Sequence, residues 1–203
     1  MRAGRVTLCW AATACASAAL EPLPAKVVAE GVTVQARSEH GAYEVHLAGA
    51  EGEPGSGVQA TGTRVSARAP TGPELEIVAA RSSWDLKGRT AHFEGNVIAT
   101  RGDVTMRCST LDVVYAGADA IETVVASGGV RVERGARLAE ASRAELVGKT
   151  GRITLTGEPR LAEGVNVLVG ERIVLWLDDE RADCEGGATG PCRLVVAPGA
   201  LGG

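Results

Sequence analysis

Aromatic side chains are scarce: Trp10, Trp84, Trp176, Tyr43, Tyr115 and Phe93 are all that 203 residues contain. Any core must therefore be built from Val, Leu, Ile and Ala, which suits thin, stacked β structure better than a globule anchored on large rings. Histidine is rarer still. His40, His46 and His92 lack metal-ligand spacing and have no carboxylate arrangement beside them, so solvent-facing strand positions are expected for all three. There is no polybasic run, and the formal net charge of −4 offers no stripe for phosphate backbones, which argues against a nucleic-acid partner. Nucleophile elbows and phosphate-binding loops are missing too. Acids are plentiful, but a carbohydrate-active enzyme on a β-solenoid would be longer and richer in rings for sugar stacking. The acidic run Asp178-Asp179-Glu180, with Asp183 following, lacks the glycine-punctuated pattern of calcium loops and reads as a solvated hairpin turn. No cofactor, no metal and no enzymatic activity are expected.

Long apolar runs are absent as well. The nearest is VTLCWAATACASAAL (6–20), which follows Arg2 and Arg5, ends in small residues at Ala16-Ser17-Ala18, and is too short for a comfortable membrane span. It resembles a secretory signal peptide over residues 1–20. Ala12-Thr13-Ala14-Cys15 also resembles a degraded lipobox, in which Cys15 would carry a lipid and anchor the exported chain to a membrane. Of the later cysteines, Cys184 and Cys192 can close a small loop in an oxidising compartment and leave Cys108 alone. Thiols without a role fit the spacing equally well.

Glycine is abundant, and its positions recur. Gly95 and Gly102, Gly128 and Gly135, and Gly157 and Gly164 stand seven apart, in units that repeat at about 30 residues. Counted from each leading glycine, offset two holds Val97, Val130 and Pro159, and offset four holds Ala99, Val132 and Leu161. Offset sixteen holds Leu111, Ala144 and Ile173, and offset eighteen Val113, Leu146 and Leu175. Alternation of this parity puts each set on one face of a sheet, with two strands per unit. The two glycines are expected to bracket a short strand, marking a kink and a turn. Degraded copies of the leading glycine stand at Gly31, Gly62 and Gly186; after Gly62 the apolar residue is Val65, one place out of phase. EGEPGSG (51–57) is the clearest loop, and PTGP (70–73) marks a second turn. ARLAEASRAELV (136–147) has helical composition, yet its register matches VTMRCSTLDVVY (104–115) and VNVLVGERIVLW (165–176), so a strand is expected there.

Phe93-Glu94-Gly95-Asn96-Val97, Leu111-Asp112-Val113-Val114-Tyr115, Ser127-Gly128-Gly129-Val130 and Ile153-Thr154-Leu155-Thr156-Gly157 resemble, in order and spacing, the OstA-like, LptA-type domain of lipopolysaccharide transport. Arg81-Ser82-Ser83-Trp84-Asp85-Leu86 and Gly170-Glu171-Arg172-Ile173 extend the resemblance over about residues 80–190. Residues 27–79 look like degenerate repeats of the same kind, similar to the LptC-type. The expected organisation is 27–79 as N-terminal β repeats, 80–197 as the OstA-like domain and 198–203 as a flexible tail. The resemblance implies an all-β, folded-over antiparallel β-jellyroll with no catalytic residues. Its greasy interior would carry lipid A acyl chains across the periplasm, and its unpaired first and last strands would join other Lpt-type jellyrolls, or copies of itself, head to tail. The interior residues expected to contact acyl chains are Phe93, Val97, Ala99, Met106, Leu111, Val113, Val130, Val132, Leu146, Ile153, Leu155, Leu161, Val167, Ile173 and Leu175. Met106 breaks the even parity and is included because Met lines adaptable apolar surfaces. The alternative is a structural β-solenoid that assembles by edge pairing and carries no lipid.

Overall fold

In a computed structural model of the chain, residues 27–38, 41–53, 57–68, 73–85, 87–116, 121–176, 179, 181–187 and 190–196 are described. The expectations for 1–20, Cys15, His40 and 198–203 lie outside them, as does most of the acidic run. The strands are β1 (Val27–Ser38), β2 (Gly41–Glu53), β3 (Gly57–Arg68), β4 (Leu75–Asp85), β5 (Thr90–Arg101), β6 (Val104–Tyr115) and β7 (Ile121–Arg134). They continue with β8 (Arg137–Val147), β9 (Arg152–Thr156), β10 (Arg160–Glu163), β11 (Asn166–Val169), β12 (Arg172–Trp176), β13 (Ala182–Glu185) and β14 (Arg193–Val195). All pairings are antiparallel within one sheet. From β1 to β8 each strand pairs with the next, as short hairpin connections dictate. The sheet runs on without a break through β3 and β4. Of residues 136–147, helical in composition, Arg137–Val147 form strand β8, which buries Ala139, Ala141 and Ala144.

After β8 the strands come in halves. β9 and β10 both pair with β8, at Arg143–Val147 and at Arg137–Glu140. β12 continues from β9 and β11 from β10, while β13 and β14 edge the two halves. The interruption lies at Gly157, and the equivalent place in the earlier strands is a bulge. Register shifts by one residue at Glu94/Val97 in β5 and at Ser127/Val130 in β7, so Gly95-Asn96 and Gly128-Gly129 hold the extra residue. Both residues of each pair have positive φ, as do Gly157 and Glu158. Such bulges bend a strand sharply. Aligned across neighbouring strands, they make a crease along which the whole sheet folds over.

This crease corrects the expected strand pattern. In the first two units the leading glycine does not open a short strand: β5 runs through Gly95 and β7 through Gly128, and only Gly102 and Gly135 are turns, whereas in the third unit Gly157 and Gly164 do bracket the short strand β10. EGEPGSG is likewise shorter than a full loop, since Glu51–Glu53 belong to β2 and Gly57 opens β3. Gly62 has a positive φ but no register shift, so β3 crosses the crease with one residue fewer than β5. That missing residue is why Val65 falls one place out of phase.

The glycines are also required for space. A Cβ on Gly95 would lie 2.8 Å from that of Ala80, and on Gly128 2.6 Å from that of Ser109. The facing serines make use of the closeness: Ser109 Oγ donates to the Gly128 carbonyl at 2.8 Å and Ser142 Oγ to that of Gly157 at 3.0 Å.

Candidate lipid trough

Because strand partners in register share a face, the interior can be followed strand by strand. On one side of the crease Val34, Val45, Val65, Ile77, Ala99, Met106, Val132, Ala139, Leu161, Leu168 and Leu194 form one row. On the other side Ala29, Ala50, Ala60, Ser82, Phe93, Leu111, Ala126, Ala144, Leu155, Ile173 and Cys184 form a second. A third row, beside the second, runs Trp84, Ala91, Val113, Val124, Leu146, Ile153 and Leu175. Residues of all three rows join one buried cluster or pack on it, so the two halves of the sheet close on each other. Trp84 and Phe93 meet edge to face, with centroids 5.8 Å apart. The one buried polar pair described inside, Thr63 and Ser82, is satisfied internally at 2.6 Å.

Of the residues expected inside, Phe93, Val97, Leu111, Val113, Val130, Leu155 and Ile173 are in the buried cluster. Ala99, Met106, Val132, Ile153, Leu161 and Leu175 pack against it. Leu146 is partly buried between Val124 and Ile153 in the third row. Val167 is the exception: it is in register with Ala162 and Val195, on the face opposite Leu168, because β11 restarts after Gly164 with that neighbour turned inward. Met106 is interior for a reason other than flexibility. Between Cys108 and Leu111 β6 crosses the crease, so interior positions change from odd to even offsets. The same switch turns Ala139 and Ala141 inward in β8. Cys108, Ala139, Ala141, Leu168, Ile77 and Ala91 also belong to the interior; offsets eleven and thirteen, small or apolar in all three units, carry the signal for the first four.

The interior is closed in the middle and uncovered at its ends. Phe93 and Leu111 on the central strands β5 and β6 are each 1% exposed, whereas Val34 at the β1 end is 45% and Leu194 at the β14 end 64% exposed. Burial lifts the Cys108 thiol from 9.0 to about 11, against a smaller opposing hydrogen bond from the Ser127 backbone, and Tyr115 is raised for the same reason. Cys184 and Cys192 form a disulfide, with Cα atoms 6.2 Å apart, at the crease beside Gly170.

The outer face is charged and cross-linked. Arg81 bonds Glu94, Arg107 and Arg131 share Glu133, and Arg172 bonds Glu185. Carboxylates do stand beside two histidines, contrary to expectation: His92 Nδ1 lies 2.6 Å from Asp112 and His46 Nε2 3.2 Å from Glu44. Strand pairing brings Asp112 beside His92 across twenty residues of sequence, and both are solvent-facing. Among the described residues no group of three or more His, Cys, Asp or Glu side chains could hold a metal, and no helix is long and apolar enough to cross a membrane.

A single antiparallel sheet, creased and folded over an aliphatic interior, defines a folded-over β-jellyroll. Residues 76–181, just over half of the chain, match the family described as LptA/(LptD N-terminal domain) LPS transport protein, and the chain belongs to that family of transport proteins. The fold is that of LptH, the LptA homologous periplasmic component of the lipopolysaccharide transport device from Pseudomonas aeruginosa. That match has a TM-score of 0.54 and 17% identity, covering 61% of this chain and 95% of LptH. No curated protein sequence matches the chain.

Proposed function

We propose that this chain is a non-enzymatic periplasmic carrier that holds the acyl chains of lipopolysaccharide in its folded sheet and bridges transport partners through its strand edges. The observation that supports this is the continuity of the interior rows, which run in register from β1 to the last strands without a charged residue. Each methylene transferred from water is worth about 0.8 kcal/mol, so a fully held acyl chain gains on the order of 10 kcal/mol. A site that strong would trap its cargo unless the next stretch of interior offered the same surface. Rows of Val, Leu, Ile and Ala repeated from strand to strand offer it. Acyl chains first meet the uncovered β1 end, at Val34 and Tyr43, and advance by parting the two halves. β1 has one edge without a partner among the described strands, and β13 and β14 have one each, available for strand addition.

Photo-crosslinking residues placed at Val34, Val65 and Met106, with Ile98 on the outer face as control, test the reading against lipopolysaccharide. Adducts are expected from the first three and not from Ile98. Absence of adducts at all three interior positions would favour a scaffold that assembles without cargo.

A further inference from the structure

The interior rows end differently at the two lips of the fold. At the lip formed by the β5–β6, β7–β8 and β10–β11 turns, the row beyond Ala99, Met106, Val132 and Ala139 reads Arg101, Val104, Arg134, Arg137, Glu163 and Asn166, all in register. Two-residue alternation from Ala99, Val132 and Ala139 puts the three arginines on the interior face. At the opposite lip Tyr115 and Ile121 take that place and pack against the core. Among the described residues its cations are Lys87 and Lys149 in the turns, Arg152 opening β9 on the outer face, Arg181 over the Trp176 ring, and Arg89, whose carbonyl accepts a hydrogen bond from the Tyr115 N–H at 3.0 Å. That lip is thus apolar across β6 and β7 with a single arginine beside Tyr115, whereas the other carries three arginines in one row directly above an aliphatic wall.

With neighbouring strands about 4.8 Å apart, β5 to β8 set these groups along roughly 15 Å. Arg134 Nε meets Asp103 and Arg137 Nε meets Glu163, each at 3.1 Å, in pairs open to solvent. Such pairs contribute little and exchange readily. Arg101 is exposed and has no ion-pair partner among the described residues. Beside them Asn166 Oδ1 is buried without a hydrogen-bond partner, an acceptor suited to a hydroxyl.

We infer that this arginine lip binds the anionic headgroup of the carried amphiphile, taking phosphate or carboxylate oxygens set on a hydroxylated root. The inference rests on the lipid-carrier reading above and adds a fixed orientation to it: chains inward, charge at the β5–β10 lip. Planar guanidinium groups take two oxygens of a phosphate at once, which a lysine cannot do.

The test compares binding of lipid A with that of phosphate-free lipid A to the full chain, for wild type, for Arg101→Gln/Arg134→Gln/Arg137→Gln, and for Lys87→Gln/Lys149→Gln on the other lip. Wild type is expected to prefer the phosphorylated lipid by about tenfold or more, a preference that weakens as salt rises. The triple variant should lose the preference while still binding phosphate-free lipid, which also shows that it is folded. The lysine variant should keep it. Equal binding of both lipids by wild type, or a preference untouched in the triple variant, would overturn the headgroup site alone. Failure of wild type to bind either lipid would overturn the carrier reading and this site with it. Inorganic phosphate at millimolar concentration should not displace lipid A; displacement would mark a site for the free anion and refute the inference.

Discussion

A methyl group on Gly128 would stand 2.6 Å from the Cβ of Ser109, at a φ of +81° that L residues rarely adopt. Gly135, in the hairpin turn, also has a positive φ, of +56°, but no heavy atom lies within 4 Å of its Cβ position. Gly128→Ala is therefore expected to lose about 2–4 kcal/mol and Gly135→Ala about 1 kcal/mol, read from urea unfolding. Equal losses would mean that backbone conformation alone, and not the approach of β6 to β7, selects glycine at the crease. Cys108 gives a second measure at this scale. Its folded pKa, about 11 against 9.0, is raised, so the stability it contributes is full below pH 9 and is lost as pH rises through 11. Between pH 8 and 11 wild type should lose on the order of 2 kcal/mol more than Cys108→Ala, with Tyr115 titrating in both. Identical pH profiles would show that the thiol is not shielded.

At the scale of the strands, the alternation of apolar residues made the sheet legible, and the recurring glycines made its repeat legible. What stayed hidden was the crease. A bulge adds one residue to β5 and one to β7, so a fixed parity follows the interior through these strands but fails halfway along β6 and β8. Met106 shows the cost: it packs against the core because β6 changes parity at the crease, not because methionine is adaptable. Val167 shows the reverse, a residue placed by a rhythm that β11 does not keep after its break at Gly164. The pairing of Cys184 with Cys192 also needed coordinates, since spacing allowed two free thiols. That bridge stands where the chain passes from β13 on one half to β14 on the other. β14 has only Arg193–Val195 to pair with β11. Cys184→Ser/Cys192→Ser is thus expected to remove hydrogen-exchange protection from β14 while β5–β9 keep theirs. Retained protection of Arg193–Val195 would make the bridge dispensable for the edge.

Across the whole molecule, each strand meets mainly its neighbours in sequence, so stability is a sum of local terms more than a property of one centre. The buried cluster is gathered on β4–β9 and β12, and β1 contributes nothing to it. Amides of β1 and β2 are expected to exchange before those of β5–β9, by hydrogen-exchange mass spectrometry. Simultaneous exchange throughout would point to a single cooperative unit instead.

Because the extra residue falls on the first strand of the β5–β6 and β7–β8 hairpins, both units bend the sheet at the same height and each advances it by two strand widths, about 10 Å. Chain length then acts as a ruler: duplicating the segment around Gly128–Gly135 would extend the span in one such increment and leave the bore unaltered. Distance between the end partners becomes a matter of how many units are threaded, independent of how each one grips.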